Sequence, residues 1–156
     1  MKIAVGSDHA GYEEPAPYYK PELVKYLKSL GHEVIDCGAF GPESVDYPDF
    51  GQTVAEAVSR GECDKRIVIC GTGVGISIAA NKVKGIRAAL CTDTYMARMT
   101  REHNDANILA LGERVLGVGV ALDIVETWLG TQFVGGRHQQ RIEKIAQIEE
   151  KYNNEI

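Results

Sequence analysis

Short apolar runs alternate with segments of helical periodicity along the whole chain. "KIAV" (Lys2–Val5) is the first run and closes on the polar turn "GSDHAG". "PELVKYLKSLG" (Pro21–Gly31) follows, with Leu23, Val24, Leu27 and Leu30 at helical spacing, Pro21 suited to a first turn and Gly31 to a stop. Further strands are predicted in "HEVIDCG" (32–38), "KRIVIC" (65–70), "IRAALCT" (86–92) and "ANILALG" (106–112). Further helices are predicted in "DFGQTVAEAVSRG" (49–61), "GISIAANKV" (75–83), "DTYMARMTREHN" (93–104), "GVGVALDIVETWLG" (117–130) and "RHQQRIEKIAQIEEKYNN" (137–154). Parallel neighbours need a long crossover, usually helical, and such crossovers are right-handed. Strict alternation therefore predicts an α/β chain with a mainly parallel sheet covered on both faces. With 156 residues, 44% of them hydrophobic, one domain (1–156) with a real core is expected. The irregular stretch "GYEEPAPYYKPE", with Pro15, Pro17 and Pro21, predicts a loop or surface insertion over Tyr12–Glu22.

In such sheets ligands bind outside the carboxyl ends of the strands, near a switch in strand order. The turns on that edge are "GSDHAG", "DCGAFGPESVDYP", "CGTGVG", "CTDTY" and "LGERV". Net charge is -5 without a run of like charges, which argues against a dedicated nucleic-acid binder. The N-terminus turns polar too soon for a signal peptide, and no apolar stretch approaches a membrane span. A cytoplasmic chain with reduced thiols is expected, and Cys37, Cys63, Cys70 and Cys91 lack the CxxC pairing of a metal cluster.

"CGTGVG" joins a strand to a helix, and its glycines let backbone N–H groups approach a ligand closely. Such a turn suits a phosphate, an enediolate oxygen, or nothing beyond a tight bend. It is neither a dinucleotide fingerprint nor a Walker loop, because Ile76, Ser77 and Ile78 follow Gly75 and Lys82 comes too late. Cys70 reads either as a small core residue or, placed before a helix start, as a base or nucleophile. Asp8 and His9 suit a local turn or sugar hydroxyls. His103, with Asn104 just after a helix, suits helix-end electrostatics or acid–base work near neutrality. Arg137 and Arg141 share one helix face, which fits a phosphate or plain solvated charge, and Arg114 ends another strand.

The motifs "GSDHAG", "GHEVIDCG", "SVDYPDF", "CGTGVGISIAANK", "REHNDANIL" and "GGRHQQRI", together and in this order, resemble the ribose-5-phosphate isomerase B family over nearly the whole chain. The resemblance implies a three-layer α/β/α doubly wound, Rossmann-like fold with a five-stranded parallel sheet. It implies a homodimer with active sites shared at the subunit interface, a C-terminal helix (137–152) contacting the partner subunit, and no metal or organic cofactor. The family's proton-transferring cysteine falls on Cys70. Some members use a glutamate a few residues later, and Val74, Gly75 and Ile76 offer none. The anion-stabilising loop falls on Gly71, Thr72, Gly73, Val74 and Gly75, with the Thr72 hydroxyl taking part. The ring-opening histidine falls on His103, followed by Asn104. Substrate contacts fall on Asp8, His9 and Tyr47, and the phosphate-binding arginines on Arg137 and Arg141, with Arg114 and His138 nearby. The family passes from "DHAG" into its first helix with fewer residues, so "YEEPAPYYKPEL" bears on substrate access and on the dimer edge.

The expected reaction is ribose 5-phosphate to ribulose 5-phosphate through ring opening and a cis-enediolate. The alternatives are another sugar phosphate of four to six carbons, such as allose or galactose 6-phosphate or a tetrose phosphate, and a non-catalytic sugar-phosphate or nucleotide-binding module. The module would keep the glycine loop and the arginines without needing Cys70 or His103.

Overall fold

A computed structural model describes residues 1–59 and 61–153. Arg60, inside the second predicted helix, and Asn154, at the end of the last, lie outside the described residues. The strands are β1 (Lys2–Ser7), β2 (Glu33–Asp36), β3 (Lys65–Cys70), β4 (Ala88–Leu90) and β5 (Ile108–Gly112). The helices are α1 (Tyr19–Ser29), α2 (Tyr47–Ser59), α3 (Val74–Ala80), α4 (Thr94–Glu102), α5 (Val118–Gly130) and α6 (Arg137–Asn153). All pairings are parallel, and the order is β2-β1-β3-β5-β4. The chain steps outward from β1 to β2, then returns to the other side of β1 with β3. The switch in strand order thus lies between β1 and β3, where a doubly wound sheet opens its ligand crevice.

The two-residue period of β3 sorts its side chains into two cores. Ile67 and Ile69 join Ile3, Val5, Leu23, Leu27, Leu109, Leu111, Ile124 and Trp128 under α1 and α5. Val68 and Cys70 face the other way, with Val54, Ile76, Ala80, Ile108 and Ala110 under α2 and α3. Cys70 is therefore a core residue by position as well as the last residue of its strand.

The element boundaries depart from expectation in explicable places. Helix α1 begins at Tyr19, ahead of Pro21. Proline is tolerated anywhere in a first turn, because those N–H groups have no intrahelical acceptor. The irregular stretch therefore shrinks at both ends. His9–Tyr12 form a 3₁₀ turn capped by Asp8, and Tyr19–Glu22 are already helical. Gly31, at φ +81°, takes the left-handed position after α1 as expected.

Lys20, in the first turn of α1, is fully buried. Its ammonium donates to Asp36 Oδ1 and, at 2.6 Å, to the Ala39 carbonyl, and it lies over the rings of Tyr12 and Phe40. A buried cation persists only with such partners, and here they tie α1 to the end of β2. Helix α6 differs from the rest. It makes only slight contact with other elements, buries His138 alone, and leaves Ile145, Ile148 and Tyr152 exposed. Its far end is pinned where the Gly85 N–H donates to Glu149 at 3.0 Å. No helix among the described residues is long and apolar enough to cross a membrane.

Candidate active site

Cys70 ends β3 opposite Gly112 of β5 and is 4% exposed. The chain then turns sharply, and the N–H of Gly73 donates back to Cys70 Sγ at 3.2 Å. Gly73 has φ +77°, and a Cβ there would lie 2.5 Å from Leu90 Cδ1 and 2.9 Å from the Leu111 carbonyl carbon. Only glycine meets both conditions. Thr72 Oγ1 accepts from the Val74 N–H at 3.2 Å. Two of the loop's N–H groups thus have internal partners, on Cys70 and Thr72, with which an incoming oxyanion would exchange.

Two side chains close over this loop because it has no Cβ in their way. A Cβ on Gly71 would stand 2.8 Å from Arg114 Nη1, and one on Gly75 would stand 2.6 Å from the Tyr47 ring. Arg114 is aligned by the backbone, its N–H donating to the Gly71 carbonyl at 2.9 Å, while the Glu113 N–H donates to the Cys70 carbonyl at 3.0 Å. Across the switch point, the Asp8 N–H donates to the Ile69 carbonyl at 3.2 Å. Asp8 Oδ1 accepts from the Ala10 N–H at 2.9 Å. Burial raises the Asp8 carboxyl above the usual aspartate range, against the opposing pull of that N–H, His9 and Arg114. His9 Nδ1 accepts from the Val45 N–H at 3.3 Å, which ties the first turn to the loop leading into Tyr47.

Glu13 and Glu113 complete the cluster, and neither stood out in the sequence. Glu13 grips Arg114 along one edge, accepting from Nε at 3.1 and 2.9 Å and from Nη2. This contact holds the Glu13 carboxyl below its usual range and pushes the guanidinium up. Burial, then the neighbouring Glu13 carboxylate, raises Glu113. The available signal was only their position, one beyond "DHAGY" and one beside Arg114 in "LGERV".

His103, Asn104, Arg137, His138 and Arg141 form a second cluster elsewhere. Helix α4 leaves the carboxyl edge after β4 and runs back against the strand direction, so its end lies at the amino edge. Asn104 confirms the placement, because its carbonyl accepts from Arg87 Nε at 2.9 Å and Arg87 immediately precedes β4. The His103 ring stacks on that of His138, with centroids 4.1 Å apart and planes 6° from parallel. Burial, the His103 ring and the charges of Arg137 and Arg141 hold the His138 imidazole below its ordinary value. Arg137 and Arg141 are exposed beside it. One chain therefore assembles Asp8, His9, Tyr47, Cys70, Gly71–Gly75 and Arg114 at one end of the sheet, and the remaining five candidates at the other.

Known proteins resemble the chain over nearly their whole length. The chain matches the family described as Ribose/Galactose Isomerase over residues 3–145. It is 53% identical to ribose-5-phosphate isomerase B of Escherichia coli over 152 residues, which is 97% of this chain and 99% of that protein. Among solved structures, ribose-5-phosphate isomerase B of Clostridium thermocellum is 67% identical with a TM-score of 0.93, covering 97% of this chain and 99% of that one. The ribose 5-phosphate isomerase of Thermotoga maritima is 49% identical with a TM-score of 0.88, covering 94% and 97%.

Proposed function

The chain belongs to the ribose/galactose isomerase family, and from that premise we propose that it interconverts ribose 5-phosphate and ribulose 5-phosphate in the cytoplasm. It is a sugar-phosphate aldose–ketose isomerase. The relatives of 53% and 67% identity, both ribose-5-phosphate isomerases, do not favour the hexose or tetrose phosphate alternative.

The observation that carries the chemistry is Cys70 held against its own glycine loop, with Gly73 N–H on Sγ and Arg114 and Tyr47 over the turn. The sugar first opens. His103 and Asp8 move the proton of the C1 hydroxyl to the ring oxygen as the C1–ring oxygen bond breaks. The Cys70 thiolate then removes the C2 proton, and the electron pair passes through C1=C2 onto the C1 oxygen. Thr72 and the loop N–H groups stabilise the enediolate, where preorganised donors are worth most. Cys70 returns its proton to C1 while the C2 hydroxyl proton passes to the C1 oxygen, directly or through solvent, so that C2 becomes the carbonyl and C1 the hydroxymethyl of the ketose. Arg137, Arg141 and Arg114 hold the phosphate, with His9, Tyr47, Asn104 and His138 lining the path, so that remote binding aligns C1 and C2.

His103 and the α6 arginines cannot serve the Cys70 of their own chain if they lie at the opposite sheet edge. We therefore assign the working form to a homodimer in which each Cys70 edge meets the partner's His103 edge. The exposed apolar side of α6 (Ile145, Ile148) and its slight contact with its own body support this reading.

A kinetic panel tests the substrate. Ribose 5-phosphate should turn over with the highest kcat/KM, against allose 6-phosphate, galactose 6-phosphate and a tetrose phosphate, and in D₂O the ketose should gain deuterium at C1. Inert ribose 5-phosphate beside an active hexose or tetrose phosphate would overturn it.

A further inference from the structure

Arg114 lies against the Cys70 loop at Gly71, and its best hydrogen-bonding edge is already taken. Nε and Nη2, the pair that forks onto carboxylate or phosphate, both donate to Glu13. Nη1 lies instead over Gly71. The contact spans 101 positions in sequence, so it is a tertiary feature and not a by-product of helix spacing. The Arg114 side chain remains 55% exposed, open to a ligand from the crevice. Glu13 is 30% exposed and stands where the 3₁₀ turn gives way to the exposed stretch 14–17, so it has room to swing outward. Asp8 and Glu113 crowd the same guanidinium with further carboxylates, which makes the local surface less welcoming to anions than a bare arginine would be.

We propose that Glu13 is an affinity- and specificity-determining residue, an internal competitor that holds the Nε–Nη2 edge of Arg114 and yields it to the phosphate of the substrate. This rests on the reading above that Arg114 contacts the phosphate. A neutral sugar gains nothing from displacing Glu13. A phosphate ester does, because it replaces one charge-assisted fork with another that carries more charge and more acceptor oxygens. The arrangement keeps Arg114 aligned in the empty site and discriminates against weakly binding anions.

The test is Glu13→Gln, with Glu13→Asp as a second variant whose shorter arm retracts from the guanidinium. Kinetics on ribose 5-phosphate and calorimetric binding of inorganic phosphate are measured on full-length protein. Removing the competitor should lower KM for ribose 5-phosphate and Kd for phosphate by about two- to fivefold, the range of a partly exposed ion pair, with the effect on KM and not on kcat. The gain should vanish in Glu13→Gln/Arg114→Ala. Unchanged or raised KM and Kd in Glu13→Gln, with Arg114→Ala still impaired, would overturn the role of Glu13 alone. An Arg114→Ala variant that binds phosphate and substrate normally would overturn the reading of Arg114 and the proposal with it.

Discussion

The His103 ring lies flat against the His138 ring, joining the end of α4 to the start of α6. Protonating both would place like charges about one ring thickness apart, beside Arg137 and Arg141. Burial first, and then these charges, hold the His138 imidazole below its ordinary value. Between that depressed value and about 6.5 the unfolded chain binds more protons than the folded one, so stability falls as pH drops through this window. We expect His138→Phe, which keeps an aromatic face but cannot be protonated, to flatten that part of the curve. Thermal melts from neutral to mildly acidic pH check this, and an unchanged acid slope would contradict it.

Cys70→Ala should leave the fold and phosphate binding near wild type, since alanine fills a similar small volume in the core under α2 and α3. The rate should fall by about 10²–10⁴-fold, the usual worth of a positioned acid–base group. Single-turnover kinetics and D₂O exchange at C2 provide the measurement.

Gly73→Ala should damage both stability and rate. The added Cβ meets Leu90, which can shift, and the Leu111 backbone, which cannot, at a residue with φ +77°. A loss of about 1–3 kcal/mol is expected from crowding and left-handed strain together. Denaturant unfolding gives the stability, and kcat should fall as the Gly73 N–H moves from Cys70 Sγ.

Lys20→Met should lower the melting temperature with little direct effect on chemistry. Methionine keeps the volume but takes the ammonium donor from the Ala39 carbonyl and from Asp36, which retains the Gly38 N–H. Because Asp36 is 32% exposed and can take water, the expected cost is about 1–3 kcal/mol, below that of a fully buried broken pair. Calorimetric melts of the two proteins decide it.

Ending the chain after Gly136 should leave a folded body, because α6 packs only slightly on it. It should also abolish isomerisation and, in the proposed dimer, shift the protein toward monomer. Circular dichroism, light scattering and activity assays read the three effects separately. A fully active truncated chain would remove α6 from the site.

The architecture was legible because its causes are local. Apolar runs of strand length alternate with helical spacing, and "KRIVIC" places Cys70 at a strand end whatever the neighbours do. The left-handed turn at Gly31 was equally readable, since a glycine closing a periodic run has one common use. The start of α1 was not, because Pro21 is compatible with several places in a first turn. Lys20 was hidden by its own chemistry. Lysine ordinarily stays at the surface, and only the tertiary approach of Asp36 and Ala39 lets it go under. Glu13 and Arg114 share no periodicity or motif, so nothing short of the fold could pair them. The position of His103 follows from helix direction, although a list of conspicuous residues does not display it.

The two clusters stand at opposite ends of the same strands, and β3 alone, with its 6 residues, spans roughly 20 Å at the usual rise per residue. A hydrogen-bonded sheet does not shorten, so no hinge or rotamer can bring one chain's halves together. The sheet acts as a rigid spacer, and completing a site becomes a question of mass action. In the proposed dimer two sites appear at once when chains meet and vanish at once when they part. Activity per chain would then decline on dilution, and a mixture of Cys70→Ala and His103→Ala chains would recover turnover that neither has alone.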